Sequence, residues 1–280
     1  MSANVNQIVS RQAGIDARRV LKDLGVNSLL ADPVSNPKVA KNMKQGVMTA
    51  PLHLAPAKLS GFNVCPMATQ GCIKACLHTA GNPLYMAGKR RARIARTRAY
   101  FKARNAFMIA LAAEIEALQA KADAAGMICG VRLNATSDIP WERVPVPSLR
   151  CYTGDVPGPR PRDHYAYDNL MQAFPRVRFY DYTKRPNRKN LPRNYKLTFS
   201  LAENNDAHAS EAIQNGMNVA VVFDVKRNHP LPRYWGFYRV IDGDVHDYRP
   251  ADPRGVIVGL RAKGKAIGDV SGFVRHARTI

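Results

Sequence analysis

The feature that most constrains this chain is a set of short apolar runs that do not alternate. VAVVFDV (219–225) and GVIVGLRAKG (255–264) are the clearest, joined by MICGVRLNATSD (127–138), VRFYDYTK (177–184) and YKLTFSLAE (195–203). A strand with one wet face alternates apolar and polar residues, whereas a continuous apolar run bounded by turn residues is a strand buried on both faces. LHLAPAKLSGFNV (52–64), broken by Pro and Gly, is expected to supply a further strand. WGFYRVIDGDVHDY (235–248) predicts a hairpin turning at Asp242–Gly243. Between the runs lie helical stretches. From about Tyr85 to Ala125, Ile94, Phe101, Met108, Leu111, Ile115 and Leu118 recur at helical spacing, with a break expected near Arg104–Asn105 and a stop at Gly126. HYAYDNLMQAF (164–174) and ASEAIQNG (209–216) suit shorter helices.

Buried strands alternating with helices predict an α/β fold, a partial or full parallel (β/α) barrel of about six strands. Its expected extent is 46–280, with a basic N-terminal appendage at 1–45 and a Pro-rich insertion at 140–161. Such folds gather their chemistry at the carboxyl ends of the strands.

With 46% hydrophobic and 22% charged residues the chain can bury a core, which argues against wholesale disorder. Its 42 Lys and Arg against 21 Asp and Glu give a net charge of +21, which favours a polyanionic partner: nucleic acid or a phosphorylated substrate. No signal-peptide pattern opens the sequence, and no apolar run reaches the roughly 18 residues of a membrane span. A cytoplasmic protein without membrane contact is therefore expected. In that compartment five cysteines point to metal or redox chemistry more than to disulfides.

The sharpest chemical signal is NVCPMATQGCIKACLHTAG, in the loop 63–81, where Cys65, Cys72 and Cys76 are spaced C-x6-C-x3-C. Three close thiolates suit a soft metal centre, and three ligands leave one position of a cubane cluster open. An iron–sulfur cluster of the [4Fe–4S] kind is the expected occupant. Zinc is the alternative, with His78 as a possible fourth ligand. Cys129, inside a strand, reads as core, and Cys151 as a surface thiol or an added ligand.

Several strands end in polar residues that would share one rim. Asn134, Asp138, Lys184, Ser200 and Glu203 are the candidate substrate-orienting set. In GLRAKGKA, Gly259 and Gly264 permit close backbone approach while Arg261 and Lys263 supply charge, as in phosphate loops after late barrel strands. The stretch KRRARIARTRAYFKAR (89–104) is strongly basic. It could track phosphates with Tyr100 and Phe101 stacking on bases, or simply present a solvated face with Ile94 and Phe101 turned to the core. There is no G-x-S-x-G elbow and no P-loop or dinucleotide fingerprint, so hydrolase and nucleotide-hydrolysis readings lack support.

Taken in order, NVCPMATQGCIKACL, VRLNATSDIPWE, FYDYTK, YKLTFSLAENN, VAVVFDV and GVIVGLRAKGKA resemble a group of bacteriophage-encoded proteins over roughly residues 50–275. The architecture is more distantly similar to the radical SAM superfamily, whose parallel barrel carries a three-cysteine loop after its first strand. That resemblance implies Cys65, Cys72 and Cys76 as ligands of a [4Fe–4S] cluster, with S-adenosylmethionine on the open iron. The spacing departs from the C-x3-C-x2-C usual there, and NATSD stands where a GGE-like block would follow the next strand. Two functions are expected from this: an iron–sulfur enzyme acting on nucleic acid or a nucleotide, or a non-catalytic nucleic-acid-binding protein with a structural metal.

Overall fold

The computed structural model describes residues 8–34, 37–76, 86–155 and 165–277. Helix α1 (Arg11–Asp23) and the single turn α2 (Pro37–Ala40) precede strand β1 (Val47–Pro51). Helices α3 (Gln70–Lys74), α4 (Ala87–Lys102) and α5 (Arg104–Ala124) lead to β2 (Ile128–Arg132). The excursion that follows carries β3 (Val146–Pro147), β4 (Tyr165–Tyr167) and α6 (Leu170–Ala173). The chain then runs through β5 (Arg178–Thr183), β6 (Tyr195–Ser200), α7 (Asp206–Gln214) and β7 (Asn218–Phe223). It ends with β8 (Tyr234–Trp235), β9 (Tyr238–Asp242), β10 (Ile257–Arg261) and β11 (Val274–Arg275).

Nine strands form one sheet in the order β1-β2-β5-β6-β7-β10-β9-β8, with β11 also on β7. From β1 to β7 spatial order follows chain order, and every pair from β1 to β9 is parallel. This parallel arrangement follows from strands buried on both faces, such as the fully buried β1. Of the expected partial or full barrel the parallel sheet is present, and among the described residues no strand pairing joins β1 to β8 or β9. Side chains bridge instead. Asn42 Oδ1 accepts from the Asp247 and Tyr248 amides at 2.9 and 3.0 Å, and Lys41 Nζ donates to the Asp244 carbonyl at 2.9 Å.

The sheet is wider than the expected six strands because the predicted hairpin, as β8 and β9, joins it through β10, and the two-residue β11 is too short to show a sequence pattern. Two expectations shift. The first strand lies at Val47–Pro51, ahead of 52–64, where Pro56 denies a ladder hydrogen bond. The hairpin turns at Gly236–Phe237, where Gly236 has φ +57°, and not at Asp242–Gly243. Gly243 instead packs against β10: a Cβ there would stand 2.6 Å from Val258 Cγ1.

The long helical stretch breaks at Ala103 (φ −134°), beside the expected position. Helix α5 is apolar on nearly every side, since Ala106 to Ala112 are all at most 1% exposed. It lies between the sheet and α1, which explains its lack of a polar face. The segment expected as an appendage is docked on this core. Val9, Ala13, Ala17 and Leu21 are buried in it, and Glu114 on α5 accepts from the Leu29 and Leu30 amides at 3.0 and 2.7 Å. Cys129 is buried in β2, and Cys151 is exposed. In the Pro-rich stretch, β3 pairs antiparallel with β4.

Candidate active site at the carboxyl ends of the strands

A cavity of about 390 Å³ opens where the parallel strands end. Its wall takes residues from the ends of β1 (Pro51), β2 (Arg132), β5 (Thr183), β6 (Ser200) and β10 (Arg261). It receives the cysteine segment as well, since Cys65, Cys72 and Cys76 all line it.

The cysteine segment is pinned by local caps and one distant acid. Asn63 Oδ1 accepts from the Cys65 amide at 3.0 Å. Thr69 caps α3, its hydroxyl accepting from the Cys72 amide at 3.2 Å. The same hydroxyl donates to Glu203 Oε2 at 2.6 Å, and the Gly71 amide donates to Glu203 Oε1 at 2.8 Å. Glu203, predicted as a rim acid, is thus the clamp that holds α3 to the end of β6. Gly71 is required by close approach, because a Cβ would lie 2.9 Å from Phe273 Cβ.

The three thiols share a wall but are not preassembled. Among the described residues, no group of three or more His, Cys, Asp or Glu side chains is placed to hold a metal ion. All are free thiols. Burial pushes the Cys65 thiol up to about 12, with Cys76, Asp138 and Cys72 adding to the effect against a counteracting hydrogen bond from Ala57. Charge on the Cys65 sulfur is therefore unfavourable without a cation beside it. His78 lies outside the described residues.

The rim residues divide by role. Asn134 is buried and ties its own loop: Oδ1 accepts from Ser137, Ile139 and Trp141 at 2.8, 3.0 and 3.1 Å. Asp138 accepts from Thr183 Oγ1 and the Lys184 amide at 2.7 and 2.9 Å, which fixes the β2 and β5 ends together. Lys184 Nζ reaches Ser200 Oγ at 2.6 Å and lies 5.3 Å from the Phe273 ring centroid. Lys184 and Ser200 are the members of the predicted set best placed to meet a ligand, since both line the cavity and neither is used as a loop brace.

The basic loop is engaged elsewhere. Arg261 pairs with Asp242 and Asp244 at 2.9 and 3.3 Å, and Lys263 with Asp244 at 2.6 Å. These acids already compensate the charge expected to hold phosphate. Gly259 serves packing, with a would-be Cβ 2.8 Å from Val240 Cγ1, and Gly264 makes a turn at φ +55° in open space. Neither glycine lines the cavity.

The Gene product 88 family matches residues 26–277, which takes in every residue of the cavity wall and leaves out α1. The chain belongs to the Gene product 88 family. This supports the phage-type resemblance and lends nothing to a likeness to radical SAM enzymes. No curated protein and no solved structure matches the chain.

In this Gene product 88 chain the basic stretch is not a uniform solvated face. Arg93 is buried at 8% exposure and lines the cavity. Arg96 Nε donates to the Ser28 carbonyl at 2.6 Å, Arg98 Nε to that of Ser60 at 3.2 Å. Tyr100 is buried beneath Arg104, and Phe101, expected in the core, is 38% exposed and stacked on Phe62 with centroids 4.4 Å apart. Both rings have protein partners. Among the described helices, none is long and apolar enough to cross a membrane.

Sequence reasoning missed a polar end of the cavity made by His53, Arg93, Arg132 and Tyr182. Burial, then the guanidiniums of Arg93, Arg132 and Arg96, hold the His53 imidazole down to about 3, outweighing Asp247. Arg132 Nη1 pairs with the fully buried Asp247 at 3.0 Å. Burial pushes the Tyr182 phenol up to about 12. Arg132 carried a signal as the charge inside an otherwise apolar strand run, Arg93 as part of the basic stretch 89–104 and Tyr182 as a polar residue ending the VRFY strand, while His53 carried none.

Proposed function

We propose that this protein is an iron–sulfur enzyme acting on a nucleotide or another phosphorylated substrate, with Cys65, Cys72 and Cys76 as the ligands of a [4Fe–4S] cluster. The supporting observation is that all three thiols, from one short segment, line the same cavity as the carboxyl ends of the parallel strands. When bound, such a cluster supplies an electron or a Lewis-acid iron. The chain's own residues do the rest. Glu203 and Thr69 fix the cysteine segment against the sheet, Lys184 presents an ammonium at the cavity wall, and Asn134 and Asp138 hold the loop that frames it. S-adenosylmethionine is the cosubstrate to try first, on the strength of the three-thiol pattern alone.

Iron and acid-labile sulfide are measured on protein purified without oxygen, alongside Cys65→Ala, Cys72→Ala and Cys76→Ala. Iron with sulfide in the parent, lost in each variant, is the expected result. Iron-free parent protein rejects the proposal, and zinc without sulfide replaces the cluster with a zinc site.

A further inference from the structure

Three buried polar atoms in this cavity have no hydrogen-bond partner in the protein: His53 Nδ1, Tyr182 Oη and Arg132 Nε. Buried polar atoms are paired in the great majority of cases, and each exception calls for a reason. Three of the eight such atoms found among the described residues belong to this one cavity wall. The residues are also firmly held. His53 lies between Leu52, whose amide donates to the Arg132 carbonyl at 2.8 Å, and Ala55, whose amide donates to Thr97 Oγ1 at 2.8 Å. Arg132 is fixed by Asp247, which itself receives the Tyr180 hydroxyl at 3.3 Å, and it lies 4.8 Å from the Tyr182 ring centroid. Orphaned atoms on locked side chains look like a preorganised ligand surface, not slack in the packing.

The chemistry of the set selects the ligand. Two guanidiniums, Arg93 and Arg132, stand near one neutral imidazole and one neutral phenol. Arginine donors in a planar fork suit carboxylate and phosphate oxygens, and neutral His and Tyr donors complete the shell without adding charge. Arg132 is itself paired through Nη1 with Asp247 at 3.0 Å, and its Nε is the donor left for a ligand.

We infer that His53, Arg93, Arg132 and Tyr182 form an oxyanion subsite that binds the phosphate or carboxylate of the substrate. This rests on the reading of the cavity as a substrate site and does not depend on the cluster.

The test is titration calorimetry of the full chain with inorganic phosphate, adenosine monophosphate, malonate and adenosine. Saturable binding of at least one of the three anions, with adenosine silent, is expected, and the phosphate and malonate arms separate the two oxyanion sources. Tyr182→Phe removes a hydroxyl that no protein group uses, so the fold should be kept while affinity drops by roughly tenfold, the loss of one hydrogen bond to a charged group. Arg93→Gln is expected to weaken binding at least as much, and Lys102→Gln, on the exposed face of α4, to leave it unchanged. The absence of saturable anion binding by the parent overturns the inference, as does full affinity in folded Tyr182→Phe and Arg93→Gln. The variant lacking Cys65, Cys72 and Cys76 separates the two proposals: it should lose iron and keep anion binding. Iron in the parent without anion binding sinks the subsite alone, and anion binding by iron-free parent protein sinks the cluster alone.

Discussion

Replacing Gly71 by Ala sets two opposing effects against each other. Gly71 lies within α3, where Ala is favoured over Gly by about 1 kcal/mol, so helix propensity alone predicts stabilisation. The surroundings predict the reverse. An added Cβ would meet Ser271 Oγ at 2.2 Å, Glu203 Oε1 at 2.9 Å and Phe273 Cβ at 2.9 Å. The serine and glutamate can swing aside, but a Cβ moves only with its backbone. Reaching an ordinary carbon contact of about 3.5–4 Å requires α3 to lift by roughly half an ångström or more. That movement stretches the 2.8 Å bond from the Gly71 amide to Glu203, a charge-assisted bond whose loss costs about 1.5–3 kcal/mol. Overpacking adds about 1–3 kcal/mol, so the net effect after the propensity gain is a destabilisation of about 1.5–5 kcal/mol. For a chain of this size that is a fall in Tm of roughly 2–4 °C per kcal/mol, readable by calorimetry. Ser271→Gly in the same background should recover little, because Phe273 is the immovable neighbour. Equal or higher Tm in Gly71→Ala would show that the cysteine helix is not docked as described.

The remaining expectations concern pH and the N-terminal helix. The folded His53 imidazole titrates at about 3 against 6.5 when exposed, so its contribution to stability is complete above pH 6.5 and is lost as pH falls towards 3. Asp181 acts in the opposite sense. Burial outweighs its hydrogen bonds from the Asn134 amide and the Tyr195 hydroxyl and lifts it to about 7, so its contribution is complete below 3.8 and is lost as pH rises towards 7. Across pH 4–6.5 the two slopes oppose, and denaturant melts should show His53→Gln flattening the acid-side loss while Asp181→Asn steepens it; identical tilts in both variants would refute the assignment. Ser10→Ala removes the α1 cap, whose hydroxyl accepts from the Ala13 amide at 3.2 Å and donates to the Arg150 carbonyl at 2.6 Å. A loss of about 0.5–2 kcal/mol is expected in the same melts, with iron content unchanged; loss of iron would tie α1 to the site.

How much was legible in the sequence depended on the range of the interaction. Periodicity and turn residues are local, so the buried strands at 178–183, 195–200, 218–223 and 257–261, the helix break near Ala103 and the close spacing of Cys65, Cys72 and Cys76 could all be read from neighbours along the chain. The parallel arrangement followed, because strands buried on both faces need covering helices. Tertiary structure alone decided which polar residues meet. Glu203 clamps a helix more than 130 residues upstream, Arg132 meets Asp247 from 115 residues away, and Asp242 and Asp244 compensate Arg261 and Lys263. Arg93 turned inward from a run of mostly exposed cations, Tyr182 was legible only as a polar residue at a strand end, and His53 carries no local signal at all. The physical reason is that a charged or hydrogen-bonding side chain is assigned its role by whichever group the fold brings within about 3 Å, and that partner is fixed by the winding of the sheet and not by the residues on either side.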